Sequence, residues 1–177
     1  PHATSRAFNA NIAPLAPYAL RGAIYYQGEM NAGAPLEYAA ALPALIASWR
    51  KAWQRPDLPF LFVQLPGFIK HTKGERHELD MDAESLALYE RESREHAWTR
   101  MRAVQLEVWQ QTPRTGMAIT IDLGEPYNIH PPRKREVAER LFLQARKLAY
   151  GEADLLAGGP VPRAYDHQGA GWRITFD

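Results

Sequence analysis

Three short, mainly apolar runs restrict the fold of this sequence more than any other feature, and polar residues directly follow the first and the third. The runs are residues 22–26, 59–65 and 117–121. The first is unbroken, and the first two are rich in aromatic or β-branched residues, which is typical of strands covered on both faces of a sheet. Helix-length segments separate the runs, and such crossovers bring successive strands back in parallel. The pattern therefore predicts an α/β protein built on a parallel sheet.

The segments around the runs have helical periodicity. Residues 93–111 and 133–150 each place most of their apolar residues on one side, and Gly151 is suitable for ending the second of these helices. Residues 6–19 predict a short helix interrupted by prolines. An amphipathic helix is also predicted over residues 36–53, where apolar side chains recur every three or four positions: Leu42, Leu45, Ile46, Trp49 and Trp53.

Two segments interrupt this regular order. Residues 66–95 are the most polar part of the chain and are interpreted as an insertion at the functional edge of the sheet, where sugar contacts are expected. From residue 158 onward, glycines and prolines precede an alternating strand over residues 172–176. We therefore predict one domain over residues 1–157 and the start of a separate β module over residues 158–177.

Composition excludes several classes of function. The chain has 21 basic and 20 acidic residues that are well mixed, so no cationic surface for nucleic acid is expected. It has no cysteine, which excludes disulfides and thiolate metal sites. No stretch approaches the roughly 20 apolar residues of a membrane span. The start, which is patterned and lacks an initiator methionine, is interpreted as an internal cut.

Polar side chains at the end of the first run are candidates for catalysis. Gln27, Glu29 and Asn31 follow the predicted strand directly, and chemistry in open α/β sheets collects at such carboxyl ends. Amide groups can donate to the oxyanion of an ester transition state, and a carboxylate can orient an imidazole. Glu29 and Asn31 could equally cap the next helix, with Gln27 facing solvent. Spacing alone leaves these two interpretations even.

His130 is the candidate general base. It lies in a loop after the third run and before a helix, where it could accept the proton of a nucleophilic serine. A lone histidine is more often a hydrogen-bonded loop residue, so the neighbouring motifs decide. A metal site is not expected, because His71, His77 and His96 lack the spacing that places two imidazoles on one helical face.

Several ordered motifs are similar to the sialate O-acetylesterase family, among the SGNH-type serine esterases that include acetylxylan esterases. They are residues 8–15 (FNANIAPL), residues 22–32 (GAIYYQGEMNA), Asp122-Leu123-Gly124, and Ile129-His130-Pro131 with Lys134. The resemblance covers almost the whole chain except the polar insertion. It implies a flavodoxin-like, three-layer domain that removes acetyl groups from O-acetylated sugars without a cofactor, and it favours a periplasmic or secreted location.

Carried over to this chain, the resemblance makes His130 the base and places the Gln27-Gly28-Glu29 signature at the rim of the active site. Related esterases often have an aspartate three residues before the histidine, where this sequence has Tyr127. Glu29 or Asp122 is then the candidate orienting acid, or a backbone carbonyl completes a dyad. A different carbohydrate ester, such as acetylated xylan, is the alternative substrate class.

The resemblance also implies a nucleophilic serine that this chain does not supply. Family members carry it in a glycine-containing turn after the first strand of the domain. Ser5, Ser48, Ser85 and Ser93 do not follow a predicted strand in such a turn. The expected partner is therefore an N-terminal segment with the serine and a missing strand, and the isolated chain is expected to be inactive and not to fold stably. A non-catalytic carbohydrate-binding or scaffold domain is the alternative from another class.

Overall fold

The computed structural model describes residues 6–16, 18–68, 97–125 and 128–176. A three-stranded parallel sheet is formed by β1 (Ala23–Tyr25), β2 (Phe60–Val63) and β3 (Thr115–Ala118), in the order β1-β2-β3. Tyr25 pairs with Phe62, and Phe62 pairs with Met117. The carboxyl ends of all three strands therefore lie along one edge of the sheet, which confirms the predicted α/β class.

Helices cover both faces of the sheet, which gives three layers. Helix α1 (Pro35–Ala52) connects β1 to β2, helix α2 (Ala97–Gln111) precedes β3, and helix α3 (Lys134–Leu148) follows it. Helices α1 and α2 pack against one face of the sheet, where Phe60 and Phe62 of the central strand contribute to the core. Helix α3 packs against the other face, over Leu61 and Val63. Because successive strand residues alternate between the two faces, all four residues of β2 are buried.

The elements differ slightly from their predicted bounds. The N-terminal helix is a π-helical turn at Phe8–Ile12 followed by a 3₁₀ turn at Ala13–Leu15. Strand β3 begins and ends earlier than predicted, since the chain turns at Arg114, which has a φ of 57°, and a 3₁₀ turn starts at Ile121. Position 116 within β3 requires glycine, because an added Cβ would lie 2.7 Å from Oε1 of Gln144 on α3. Most of the polar insertion, residues 69–96, lies outside the described residues.

Within the described residues the first strand is covered on one face only, whereas its sequence pattern predicts cover on both faces. Ala23 and Tyr25 contribute to the core beneath α1, but Ile24 on the opposite face is 69% exposed. The reason is the placement of α3, which packs over β2 and β3 and leaves the neighbouring part of β1 open within the described residues. The free edge of β1 is consequently flanked by an exposed apolar side chain.

The C-terminal part of the chain forms a separate two-stranded antiparallel sheet, β4 (Pro162–Gln168) and β5 (Gly171–Phe176). The second strand corresponds to the predicted alternating strand. Its apolar residues Trp172, Ile174 and Phe176 are exposed. The division into domains at residue 157 stays a prediction.

Candidate functional site

The carboxyl edge of the sheet is built from one polar residue near the end of each strand. Gln27 follows β1, Gln64 follows β2 and Thr120 follows β3. Thr120 is fully buried, and its Oγ1 donates to the backbone carbonyl of Gln64 at 2.6 Å. This bond connects the segments that follow β2 and β3 and holds them in a fixed position relative to each other.

The side chain of Gln27 is held by two hydrogen bonds. Its Oε1 accepts from the hydroxyl of Tyr25 at 3.3 Å, and its Nε2 donates to Oδ1 of Asn31 at 2.6 Å. These bonds leave one N–H of Gln27 and the Nδ2 group of Asn31 without a partner among the described residues. Two amide donors are therefore available side by side, as expected for groups that stabilise an oxyanion.

Glu29 lies in the same turn, at the start of the 3₁₀ segment Glu29–Asn31. Burial raises the pKa of both Tyr25 and Tyr26, and the negative charge of Glu29 raises them further. These pKa values keep both phenols protonated at neutral pH. The structure thus groups Gln27, Glu29 and Asn31, three of the predicted site residues, in one turn.

His130 is exposed in the loop that precedes α3. Its backbone N–H donates to Oδ1 of Asn128 at 2.9 Å, and Nδ2 of Asn128 donates to Oε2 of Glu125 at 3.0 Å. Asn128 therefore organises the turn that carries the imidazole, a role that the sequence reasoning did not assign. Tyr127, which occupies the position of an expected aspartate, lies outside the described residues.

Asp122 is engaged by a cation. Nη1 and Nη2 of Arg140 donate to its two carboxylate oxygens, each at 2.6 Å, and Nη1 also donates to the carbonyl of Ile119 at 2.6 Å. The hydrogen bonds from Arg140 lower the pKa of Asp122 to about 2. This bidentate pair fixes the segment that leads from β3 towards His130. The role of Asp122 as an orienting acid stays a prediction.

We expect the Asp122 pair to stabilise the fold only above acidic pH. A carboxyl whose pKa is lowered from 3.8 to about 2 contributes stability above the first value and loses it as the pH falls through the second. At pH 7, Asp122→Asn should cost less than about 1 kcal/mol, because the pair is partly exposed. Thermal unfolding of wild type and variant should converge towards pH 2, and a difference that persists there would contradict this account. Glu139→Gln, in an exposed helical pair, is the control.

The turn that contains Gln27, Glu29 and Asn31 lies at the same edge of the sheet as the loop of His130. Nζ of Lys134, four residues after His130, lies 4.8 Å from the ring centroid of Tyr26, the residue before Gln27. The described residues show no hydrogen bond between the side chain of His130 and those of Gln27, Glu29 or Asn31. The structure therefore places these residues around one region without joining them directly.

Of the four serines, only Ser48 lies in the described part of the chain. It is exposed on α1, and its hydroxyl donates to the carbonyl of Leu45 at 2.8 Å. This placement agrees with its interpretation as a helix surface residue. Ser5, Ser85 and Ser93 lie outside the described residues, as do His71, His77 and His96.

Two further searches cover the described ranges alone. Within them, no cluster of three or more histidine, cysteine, aspartate or glutamate side chains is arranged to hold a metal ion. Within the same ranges, none of the helices combines the length and the hydropathy needed to cross a membrane.

Comparison with known proteins gives consistent matches. Residues 4–127 match the family described as carbohydrate esterase, sialic acid-specific acetylesterase. Sialate O-acetylesterase of Rattus norvegicus is 33% identical over 179 residues, which cover 88% of this chain and 28% of that protein. The Homo sapiens protein of the same name is 32% identical over 178 residues, covering 88% and 29%. The chain thus spans less than a third of the length of these curated relatives.

A solved structure agrees with these matches. The crystal structure of a carbohydrate acetylesterase from Xanthomonas citri superimposes with a TM-score of 0.74 at 36% sequence identity. The superposition covers 94% of this chain and 34% of that one. It confirms the α/β architecture described above.

Proposed function

Since the chain belongs to the carbohydrate esterase family of sialic acid-specific acetylesterases, we propose that it supplies the general base and the oxyanion donors of a sugar O-acetylesterase. The observation that carries the proposal is the pair of amide donors on Gln27 and Asn31, fixed at the same sheet edge as the loop of His130. Donors held in advance stabilise developing charge without reorganising during the reaction.

The proposed reaction proceeds through a serine acyl-enzyme. As the serine oxygen bonds to the acetyl carbon, its proton moves to His130, and the carbonyl oxygen becomes an oxyanion that accepts from Gln27 and Asn31. Collapse breaks the bond to the sugar, whose oxygen takes the proton from His130. A water molecule then gives a proton to His130 and attacks the acetyl carbon. Release of acetate returns that proton to the serine.

Glu29 is the carboxylate that we assign to support the imidazolium form of His130. Both oxygens of Asp122 accept from Arg140, which leaves Asp122 less free to bind an imidazole. Glu29 shares its turn with Gln27, and its charge acts at the same edge of the sheet. A negative charge near the base stabilises the imidazolium that forms in each half of the reaction.

We further propose that an N-terminal segment outside this chain carries the nucleophilic serine and extends the sheet beside β1. Three features of β1 support this. The strand is at the edge of the described sheet, its residue Ile24 is exposed, and the buried hydroxyl of Tyr26 has no partner among the described residues. An added parallel strand would satisfy the free backbone groups of the β1 edge, and the rest of the segment would pack over the open face that carries Ile24. We use the term complete esterase for this chain together with that segment.

Acetate release tests the proposed function. The complete esterase should hydrolyse acetyl esters of sialic acid, whereas residues 1–177 alone should release no acetate above the uncatalysed rate. Acetylated xylan is assayed in parallel, because one fold supports several ester specificities. Turnover by the isolated chain would contradict the assignment of the serine to another segment. Absence of turnover by the complete esterase on every acetylated sugar would instead favour a binding or scaffold domain.

A further inference from the structure

A buried amide on α2 lies behind the turn that carries the oxyanion donors. Gln105 is fully buried, so each of its polar atoms needs a partner within the protein. Its Oε1 accepts from the backbone N–H of Leu65 at 2.8 Å, and its Nε2 donates to the carbonyl of Val63 at 3.3 Å. The same amide acts on the phenol of Tyr38, whose pKa it lowers against the larger effect of burial.

Tyr38 connects the turn of Gln27 to the core. Its ring is buried in the core beneath the sheet edge, and its hydroxyl donates to the backbone carbonyl of Gln27 at 3.0 Å. Desolvation, the largest effect, raises the pKa of Tyr38 to about 12, so the hydroxyl is a neutral donor at every pH where an esterase works. Tyr38 therefore holds the backbone of Gln27 through a neutral hydroxyl on a buried ring.

The backbone at Gly28 fits closely over the same amide. A Cβ at this position would lie 3.1 Å from Nε2 of Gln105 and 3.3 Å from Cδ2 of Leu65. Gly28 also has a φ of 152°, a conformation that other residues rarely adopt. Gln105 therefore packs closely against the Gln27–Gly28 turn, and a larger residue at position 28 would have to displace it.

We propose that Tyr38 and Gln105 are positioning residues that hold the main chain of Gln27 where its amide can meet the oxyanion. The inference rests on the proposed function of Gln27 as a donor. Tyr25 and Asn31 fix only the side chain of Gln27, whereas the bond from Tyr38 fixes its backbone. A donor must lie within a narrow distance of the transition-state oxygen, so a small drift of the turn weakens catalysis without weakening substrate binding equally.

The test is Tyr38→Phe in the complete esterase, which deletes the hydroxyl and keeps the ring. We expect kcat for acetyl ester hydrolysis to fall by about tenfold, with KM changed less than about twofold. Thr115→Val is the matched control. It deletes a buried hydroxyl that donates to the carbonyl of Thr112 at 2.6 Å, at the amino end of β3, and should leave kcat unchanged.

A double-mutant cycle with Gln27→Ala separates the two proposals. Gln27→Ala should lower kcat by about a hundredfold, and adding Tyr38→Phe should lower it little further, because the second residue acts through the first. Full additivity, or an unchanged kcat in Tyr38→Phe, would overturn the positioning role. An unchanged kcat in Gln27→Ala would overturn the donor role itself. If Tyr38→Phe does not fold, Gln105→Met tests the same turn from α2 by the same criteria.

Discussion

In the complete esterase, His130→Ala should lower kcat/KM for acetyl ester hydrolysis on the order of 10³-fold. Without an imidazole, the serine has no base to accept its proton and the leaving sugar has no acid to protonate it. The residual rate reflects binding and the oxyanion donors, Gln27 and Asn31. The fold should be unaffected, since His130 is exposed and its hydrogen bond to the described residues uses the backbone N–H, which alanine retains. Steady-state kinetics and thermal unfolding measure the two effects.

A second histidine provides the matched control. His167 is exposed on β4, where its ring packs against Trp172 with centroids 4.9 Å apart. His167→Ala removes an imidazole from the separate β-sheet and should retain full activity. Retention of activity by His130→Ala would show that His130 is not the base, and an equal loss in both variants would point to a general effect of losing an imidazole.

The strands and helices were predictable because their signals are local. Residues 59–65 form an apolar run whose length fits a strand, and β2 lies within it. The same kind of pattern placed Gln27 directly after the first strand. Because parallel strands end at one edge of the sheet, it also placed Gln27 at the carboxyl edge. Local patterns therefore located both the sheet and the turn at its carboxyl edge.

The support behind that turn was not predictable in the same way. Gln105 falls on the apolar side of its helix, which indicates burial but not its partners. Those partners lie about forty positions earlier, at Leu65 and Val63. Asn128 is similar, because its role depends on a turn whose geometry no periodic pattern describes. Contacts between distant segments require the fold to be known.

The exposure of Ile24 could not be predicted from the sequence either, because the pattern that identifies a strand does not show which elements pack against it. In the complete esterase we expect Ile24→Lys to destabilise the fold by about 3 kcal/mol, since an added segment beside β1 would bury the charge. The 69% exposure seen in the described residues would, taken alone, predict almost no effect. Thermal or denaturant unfolding measures the difference.

Leu156→Lys is the matched control for this substitution, because Leu156 is 85% exposed and lies outside the sheet. It should change the free energy of unfolding by no more than about 0.5 kcal/mol. Loss of stability in Ile24→Lys alone would place the missing segment over this face of β1, next to the turn of Gln27. Equal tolerance of lysine at both positions would show that the face stays open to water, and the proposed segment would then not cover Ile24.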